Sequence, residues 1–282
     1  MLIKVFAAAS LLAGALLCVC LSAFESLMWL WLLPLVAVGT FLVLAALTFV
    51  VLLIACALVD PDKEQQEDSK FFRTAVNLIV EAVFPLAGAK INTVGLEKTP
   101  KDGRFLLVCN HIHDIDPAVI FRCFPKSQLA IVGKREVREM FLVGKIMPKL
   151  LCQFINREND REALKTILKC ISLLKEDKVS IGIFPEGYIR PNRKLHPFRA
   201  GVFKIAQKAN VPIVVCTLQG SQYVIKNFLK LKPSKVELHL LDVIPAEALQ
   251  GRTTVDIAEE IYQMMAQDLG PENVNEDLED NT

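Results

Sequence analysis

Charge is almost missing from the start of this chain: Lys4 and Glu25 are the only charged residues among the first 59. That rules out an ordinary solvated surface for this stretch. Residues 5–24 form an apolar run of 20, long enough as a helix to cross a hydrocarbon core of about 30 Å. A second run, 27–59, is divided by Pro34, and 35–59 alone would span with some tilt. Tryptophan is scarce too. Trp29 and Trp31 are the only two, and both fall beside the turn at Glu25–Ser26. Tryptophan favours the headgroup level, which puts that turn at a membrane interface. The two runs read as a helical hairpin with both ends on one side. Lys4, Lys63, Lys70 and Arg73 would share that side, the cytoplasmic one by the positive-inside tendency. A cleaved signal peptide is the rival reading; against it, the second run follows at once and no A-x-A site is visible.

No C-x-x-C occurs among the eight cysteines, and a secreted, disulfide-bonded domain fits them less well than a cytosolic one. The five cysteines beyond the apolar runs stand singly inside apolar segments, as reduced buried thiols of a cytosolic domain do. Acid is missing between Gly187 and Lys235, where ten Lys or Arg occur without one Asp or Glu. Such a stretch is either a solvated basic face or a surface that attracts anionic headgroups or phosphorylated substrates. The membrane hairpin favours the second. Nucleic acid is not the expected partner, because no aromatic-basic motif accompanies the charge. Base is missing from 268–282, which holds six acids, and residues 271–282 read as a disordered tail.

What is present between 60 and 270 is the pattern of a soluble α/β domain. "DPDKEQQEDSK" (60–70) is a polar linker. "FFRTAVNLIVEAVFPLAG" (71–88) is a helix, either on the membrane surface or against the core. "FLLVC" (105–109), "LAIVG" (129–133), "VSIGIF" (179–184), "IVVCTL" (213–218) and "VELHLLDVI" (236–244) read as strands. Most are near-continuous apolar runs, as strands covered on both faces are. Helices are expected over 160–176, capped by Asn159 with Glu162, and over 254–269. The fold class is therefore α/β: a mostly parallel central sheet flanked by helices, preceded by a transmembrane hairpin over 1–59.

"NHIHDID" (110–116) concentrates the chemistry, with two histidines and two aspartates directly after a strand. Three readings compete. As a metal site it needs further ligands, and only His196 and His239 remain in the chain. As a helix start, Asp116-Pro117 supplies an N-cap and a proline at the first helical position. As a His–Asp pair, a turn folds the Asp116 carboxylate onto the His111 imidazole, which fixes the tautomer and makes a general base.

The N-H-x4-D pattern here resembles the first motif of the glycerolipid acyltransferases. "GKREV" (133–137) and "FINR" (154–157) resemble parts of their second motif, and "IFPEG" (183–187) resembles the third. "HPFRAGVFKIA" (196–206) is similar to the segment that follows it, and "VPIVV" (211–215) to the fourth. Order and spacing agree over about 105–220. The sequence departs at His113, where the family often has Ser. It departs at Tyr188-Ile189, where Thr-Arg is usual, with Arg190 one position later. It departs at Val215, where a second proline is usual. These changes fall mainly on the acceptor side.

The resemblance implies that His111 is the base and Asp116 its orienter, with direct attack of a hydroxyl on a thioester. It implies that Glu186 and Gly187 face the acceptor and that Arg157 binds its phosphate, with Lys134 and Arg190 as further candidates. No bound cofactor or metal is implied; acyl carrier protein or coenzyme A would bring the acyl group as cosubstrate. The expected reaction is acylation of the 2-hydroxyl of lysophosphatidate, with glycerol 3-phosphate or another lysophospholipid as the alternative acceptor. A membrane-tethered metal hydrolase using His111, His113 and His196, or a lipid-binding protein without catalysis, are the rivals from other classes. The expected location is the cytoplasmic face of a bacterial membrane, or the endoplasmic reticulum in a eukaryote.

Overall fold

A computed structural model of the chain describes residues 2–60, 63–156 and 158–275. The chain divides into two compact units, Met1–Lys63 and Glu64–Thr282. The first holds two antiparallel helices, α1 (Leu2–Cys20) and α2 (Trp29–Ala57), both long and apolar enough to cross a membrane. Ser10, Gly14 and Cys18 are the buried residues of α1, spaced four apart on one stripe. Small side chains there let the helices approach closely: a Cβ on Gly14 would stand 3.0 Å from the Leu33 carbonyl oxygen. Pro34 does not divide the second run, as expected from sequence, but lies inside α2. It sits in the second turn, where a missing N–H forfeits a single helical hydrogen bond.

The second unit is built on one seven-stranded sheet. Its elements run α3 (Lys70–Leu86), β1 (Ala89–Val94), β2 (Leu106–Cys109), α4 (Asp116–Cys123), β3 (Leu129–Lys134), α5 (Val143–Lys149) and β4 (Gln153–Ile155). Then come α6 (Asp160–Lys175), β5 (Ser180–Ile183), α7 (Lys204–Ala209), β6 (Ile213–Gln219), α8 (Val224–Phe228), β7 (Ser234–Ile244) and α9 (Thr254–Leu269). The strand order is β1-β7-β6-β2-β5-β3-β4. All pairings are parallel except β6 with β7. Every residue of β2 and β5 is buried, so helices cover both faces, and the apolar runs of these strands follow from that.

The five strands read from sequence are present, but β1 and β4 are additional. Helix α6 starts at the expected cap, where Asn159 Oδ1 accepts from the main-chain N–H of Arg161 at 3.1 Å and of Glu162 at 3.2 Å. Helix α3 turns Phe72, Arg73, Val80 and Phe84 inward. Arg73, expected among the cytoplasmic surface charges, is instead buried. It pairs with Asp68 at 2.9 Å and donates to the Leu129 carbonyl at 2.6 Å, so it ties the start of β3 to α3. Part of the expected disordered tail is docked: Asn273 and Asn275 exchange main-chain hydrogen bonds with Leu195. The rest of that tail, 276–282, lies outside the described residues.

In a parallel sheet the carboxyl ends of the strands share one edge, and a crevice opens where neighbouring connections diverge. Here the chain leaves β2 between β6 and β5, and β3 and β4 follow beyond β5. Residues that directly follow β2, β5, β3 and β4 are thereby gathered at one edge.

Candidate active site

The turn after β2 carries the N-H-x4-D residues. Asn110 is buried, with its Nδ2 donating to the Leu218 carbonyl at 2.9 Å and its Oδ1 accepting from Leu218 N–H at 2.7 Å. The amide therefore pairs like one rung of a ladder and locks the end of β2 to β6. The chain then bends, so that Asp116 points back into its own turn. Asp116 Oδ2 accepts from the main-chain N–H of Ile112 and of His113, each at 2.8 Å. It also lies 2.8 Å from His111 Nδ1. A carboxylate only accepts, so Nδ1 carries the ring proton and Nε2 keeps its lone pair.

The helix-cap reading of Asp116 is corrected by this geometry. Asp116 begins α4, and Pro117 follows it at the helix start as expected, but no side-chain cap hydrogen bond forms. The carboxylate serves the preceding turn instead. Its other oxygen, Oδ1, accepts from the Ser221 hydroxyl at 2.5 Å, and both residues are fully buried. Ser221 lies 105 positions away in the loop after β6, outside every motif read from sequence. Only the topology brings it here.

The F-P-E-G segment leaves β5 beside this turn. Phe184 stacks on the His111 ring, with centroids 4.1 Å apart and planes at 17°. It leaves the imidazole little freedom to tilt. Gly187 N–H donates to the Phe184 carbonyl at 3.1 Å and closes a four-residue turn with proline in its second position. Gly187 has φ +87°, and a Cβ there would stand 3.0 Å from Arg199 Nε. Arg199 is exposed and thus passes over the Glu186–Gly187 turn; sequence reasoning placed it in a motif but gave it no role.

Glu186 is 5% exposed. Its Oε1 accepts from His111 N–H at 2.7 Å and its Oε2 from His196 N–H at 3.0 Å. The resemblance put this carboxylate on the acceptor hydroxyl. In the structure both oxygens hold main chain, and they join the His111 turn to the segment after the third motif. Burial pushes the Glu186 pKa up to about 8; the two main-chain hydrogen bonds oppose this, and nearby Asp116 adds to it.

The remaining candidates are less gathered. Lys134 ends β3, exposed, on the same sheet edge. Arg190 folds onto its own neighbour, with its guanidinium 4.2 Å above the Tyr188 ring and bonded to the Tyr188 hydroxyl. Arg157 lies outside the described residues. His113 Nδ1 accepts from Ile115 N–H at 3.2 Å, and His196 Nε2 lies 3.0 Å from Asn192 Oδ1. Among the described residues no three His, Cys, Asp or Glu side chains are grouped to hold a metal ion. Cys109, next to Asn110, is fully buried, and that burial pushes its thiol well above the ordinary cysteine range. It is no thiolate nucleophile at neutral pH.

The arrangement offers an imidazole nitrogen with a free lone pair, a carboxylate behind it and a rigid turn beneath it. Known proteins resemble the chain in sequence and in fold. Residues 90–219 match the family described as "Acyltransferase". A Mycoplasma pneumoniae protein named "Probable 1-acyl-sn-glycerol-3-phosphate acyltransferase" is 29% identical over 163 residues, 56% of this chain and 60% of that protein. The 1-acyl-sn-glycerol-3-phosphate acyltransferase of Borreliella burgdorferi is 31% identical, again over 56% of this chain, and over 64% of its own. The chain thus matches less than two thirds of the length of these relatives. The crystal structure of the 1-acyl-sn-glycerophosphate acyltransferase PlsC of Thermotoga maritima superimposes with a TM-score of 0.60 at 22% identity, over 77% of this chain and 86% of that one. Motifs and sequence matches converge on residues 90–219, which resemble the acyltransferase family, and the fold of the second unit is similar to that of a solved member.

Proposed function

We propose that the chain transfers a fatty acyl group from an acyl thioester to the 2-hydroxyl of 1-acyl-glycerol-3-phosphate, giving phosphatidate. The observation that carries this reading is the His111–Asp116 pair, 2.8 Å apart, with Nε2 left as the acceptor nitrogen. The names of the relatives supply the substrate class.

In this reading His111 Nε2 takes the proton of the acceptor hydroxyl as its oxygen attacks the thioester carbonyl. The tetrahedral intermediate collapses with loss of thiolate, and the imidazolium returns the proton to sulfur. Asp116 holds the ring tautomer and stabilises the imidazolium while it exists. Glu186 acts as a positioning residue through the main chain of His111 and His196. Gly187 supplies the turn that brings Glu186 to them. Arg157, Lys134 and Arg190 are the candidates for the acceptor phosphate. Acyl carrier protein or coenzyme A carries the donor, and membrane lipids surround the acceptor. The two apolar helices anchor the chain, with Lys4, Lys63 and Lys70 placing the second unit on the cytoplasmic face.

The test is transfer from a labelled acyl thioester to lysophosphatidate in detergent micelles containing a chelator. Product from the wild type and a loss of about a hundredfold to ten-thousandfold in His111→Ala is the expected outcome, the range typical for removal of a general base. Retained activity in His111→Ala would remove the His–Asp reading. Chelator inhibition reversed by zinc or manganese would point to the metal hydrolase. Repeating the assay with glycerol 3-phosphate and with other lysophospholipids fixes the acceptor.

A further inference from the structure

The connection from β6 to β7 holds a second feature that the acyl-transfer reading does not use. Its residues 223–232, "YVIKNFLKLK", include α8 and the turn that follows. Five large apolar side chains stand out into solvent there: Tyr223, Ile225, Phe228, Leu229 and Leu231, the last two 77% and 92% exposed. Scattered single apolar residues on a surface are ordinary; five within nine positions are not.

The tip is ordered by its own hydrogen bonds. The Asn227 carbonyl accepts from Lys230 N–H at 3.0 Å and from Lys232 N–H at 2.9 Å, while Asn227 Nδ2 donates to the Pro233 carbonyl at 3.1 Å. Leu231 is held at φ +53°, a conformation uncommon for leucine. The backbone thus carries the apolar side chains outward in a fixed geometry, which lowers the ordering cost of any binding event.

Charge says what binds. Lys226, Lys230 and Lys232 alternate with the apolar residues, all exposed and none in an ion pair with the described residues. They lie in the stretch from Gly187 to Lys235 that has no acid. An apolar wedge ringed by lysines matches the boundary of an anionic bilayer, where acyl chains take the wedge and headgroup phosphates take the ammonium groups.

Topology places the tip on the catalytic edge. β6 runs parallel to β2, so the loop leaving β6 emerges at the edge where the His111 turn leaves β2. The two are continuous: a cavity of about 270 Å³ is lined by Asn110 and Ile112 of the turn and by Gly220, Gln222 and Tyr223 of the loop. The exposed Leu86, at the end of α3, comes to the same side, because Gly88 accepts from Ser234 N–H at 3.0 Å.

We infer that residues 223–232 dip into the surface of an anionic bilayer and set the catalytic edge of the second unit against the lipid from which the acceptor is drawn. The inference rests on the lysolipid reading for its purpose but not for its test. The full-length protein is reconstituted into vesicles of phosphatidylcholine, with or without phosphatidylglycerol. A polarity-sensitive fluorophore is placed at Leu231→Cys, and in a second protein at Val94→Cys; Cys20 is replaced by Ser in both. Val94 is also exposed, but it ends β1, on the opposite edge of the sheet.

The expected result is an apolar spectrum at position 231, stronger with phosphatidylglycerol, and an aqueous one at 94. That outcome needs no catalysis, so it stands or falls apart from the reaction. In activity, Leu229→Asp/Leu231→Asp should lower transfer to bilayer-embedded lysophosphatidate about tenfold and leave transfer to a monomeric short-chain lysophosphatidate unchanged. An aqueous signal at 231 in both vesicles overturns the inference. If that signal then becomes apolar on adding acyl carrier protein, the surface belongs to a protein partner. Equal losses on both acceptors, with an unchanged far-ultraviolet spectrum, would also overturn it, since the tip would then act on the site itself and not on its approach to lipid.

Discussion

Glu186 reaches a nearly water-free position at the end of β5 and meets two main-chain N–H groups there. Its pKa, raised to about 8 from an ordinary 4.5, has a consequence for stability. Between those two values the folded protein holds more protons than the unfolded chain. Stability therefore falls as pH rises across that window, by at most about 1.4 kcal/mol per pH unit from this group. Glu186→Gln removes the titration but puts an amide donor against one of the two N–H groups, a mismatch that costs about 1–3 kcal/mol. Thermal denaturation of both proteins from pH 5 to 8 should show the variant less stable at pH 5 and the gap closing as pH rises. A gap that stays constant would mean that Glu186 ionises equally in both states. Activity of the variant should fall along with the order of the His111 turn, because the two share a hydrogen bond.

At the scale of the element, two turns depend on glycine and differ in how far they can yield. Gly187 has φ +87°, and its would-be Cβ neighbour is the exposed side chain of Arg199, which can move aside. Gly220 has φ +82°, and a Cβ there would fall 2.1 Å from the Lys235 carbonyl oxygen, in the backbone of β7. Gly187→Ala should cost about 1–3 kcal/mol, the ordinary cost of a left-handed alanine with some crowding. Gly220→Ala should cost more, because two strands must separate, and it should shift Ser221 away from Asp116. Denaturant unfolding of the two variants gives the order directly, and a Gly220→Ala protein as stable as Gly187→Ala would contradict the packing argument.

The same elements show what was readable beforehand and why. β2, β5 and β6 are largely apolar and almost wholly buried because helices cover both faces, and that pattern needs no partner to be recognised. β1 and β4 escaped for the opposite reason. β1 is an edge strand, "AKINTV", with only Ala89 buried, and β4 is only three residues long. Neither carries a period. The His111–Asp116 pair was legible because its two members lie five positions apart in one turn. Ser221 was not, since nothing local marks a serine 105 positions away as the partner of an aspartate. The chemistry of Glu186 was legible as a motif, but its direction was not, because the main-chain N–H groups it meets have no signature in sequence.

At the scale of the whole molecule, the chain joins an apolar pair of helices to a folded α/β unit whose core is its own, so the membrane term can be separated from the chemical one. A tether raises the local concentration of an enzyme at its surface without altering its site. Removing residues 1–59 should therefore leave transfer to a monomeric short-chain acceptor within about twofold of the full chain, with the far-ultraviolet spectrum reporting an intact fold. Transfer to bilayer-embedded lysophosphatidate at nanomolar enzyme should fall by more than about tenfold, because partitioning then depends on the basic, apolar tip alone. What activity remains on the bilayer should be sensitive to salt. Raising ionic strength from about 0.1 M to 1 M shortens the screening length from about 10 Å to about 3 Å and removes most of the attraction between Lys226, Lys230, Lys232 and the headgroups. Full bilayer activity in the truncated protein, or residual activity indifferent to salt, would mean that the hairpin and the lysines do not share the work of bringing the site to its acceptor.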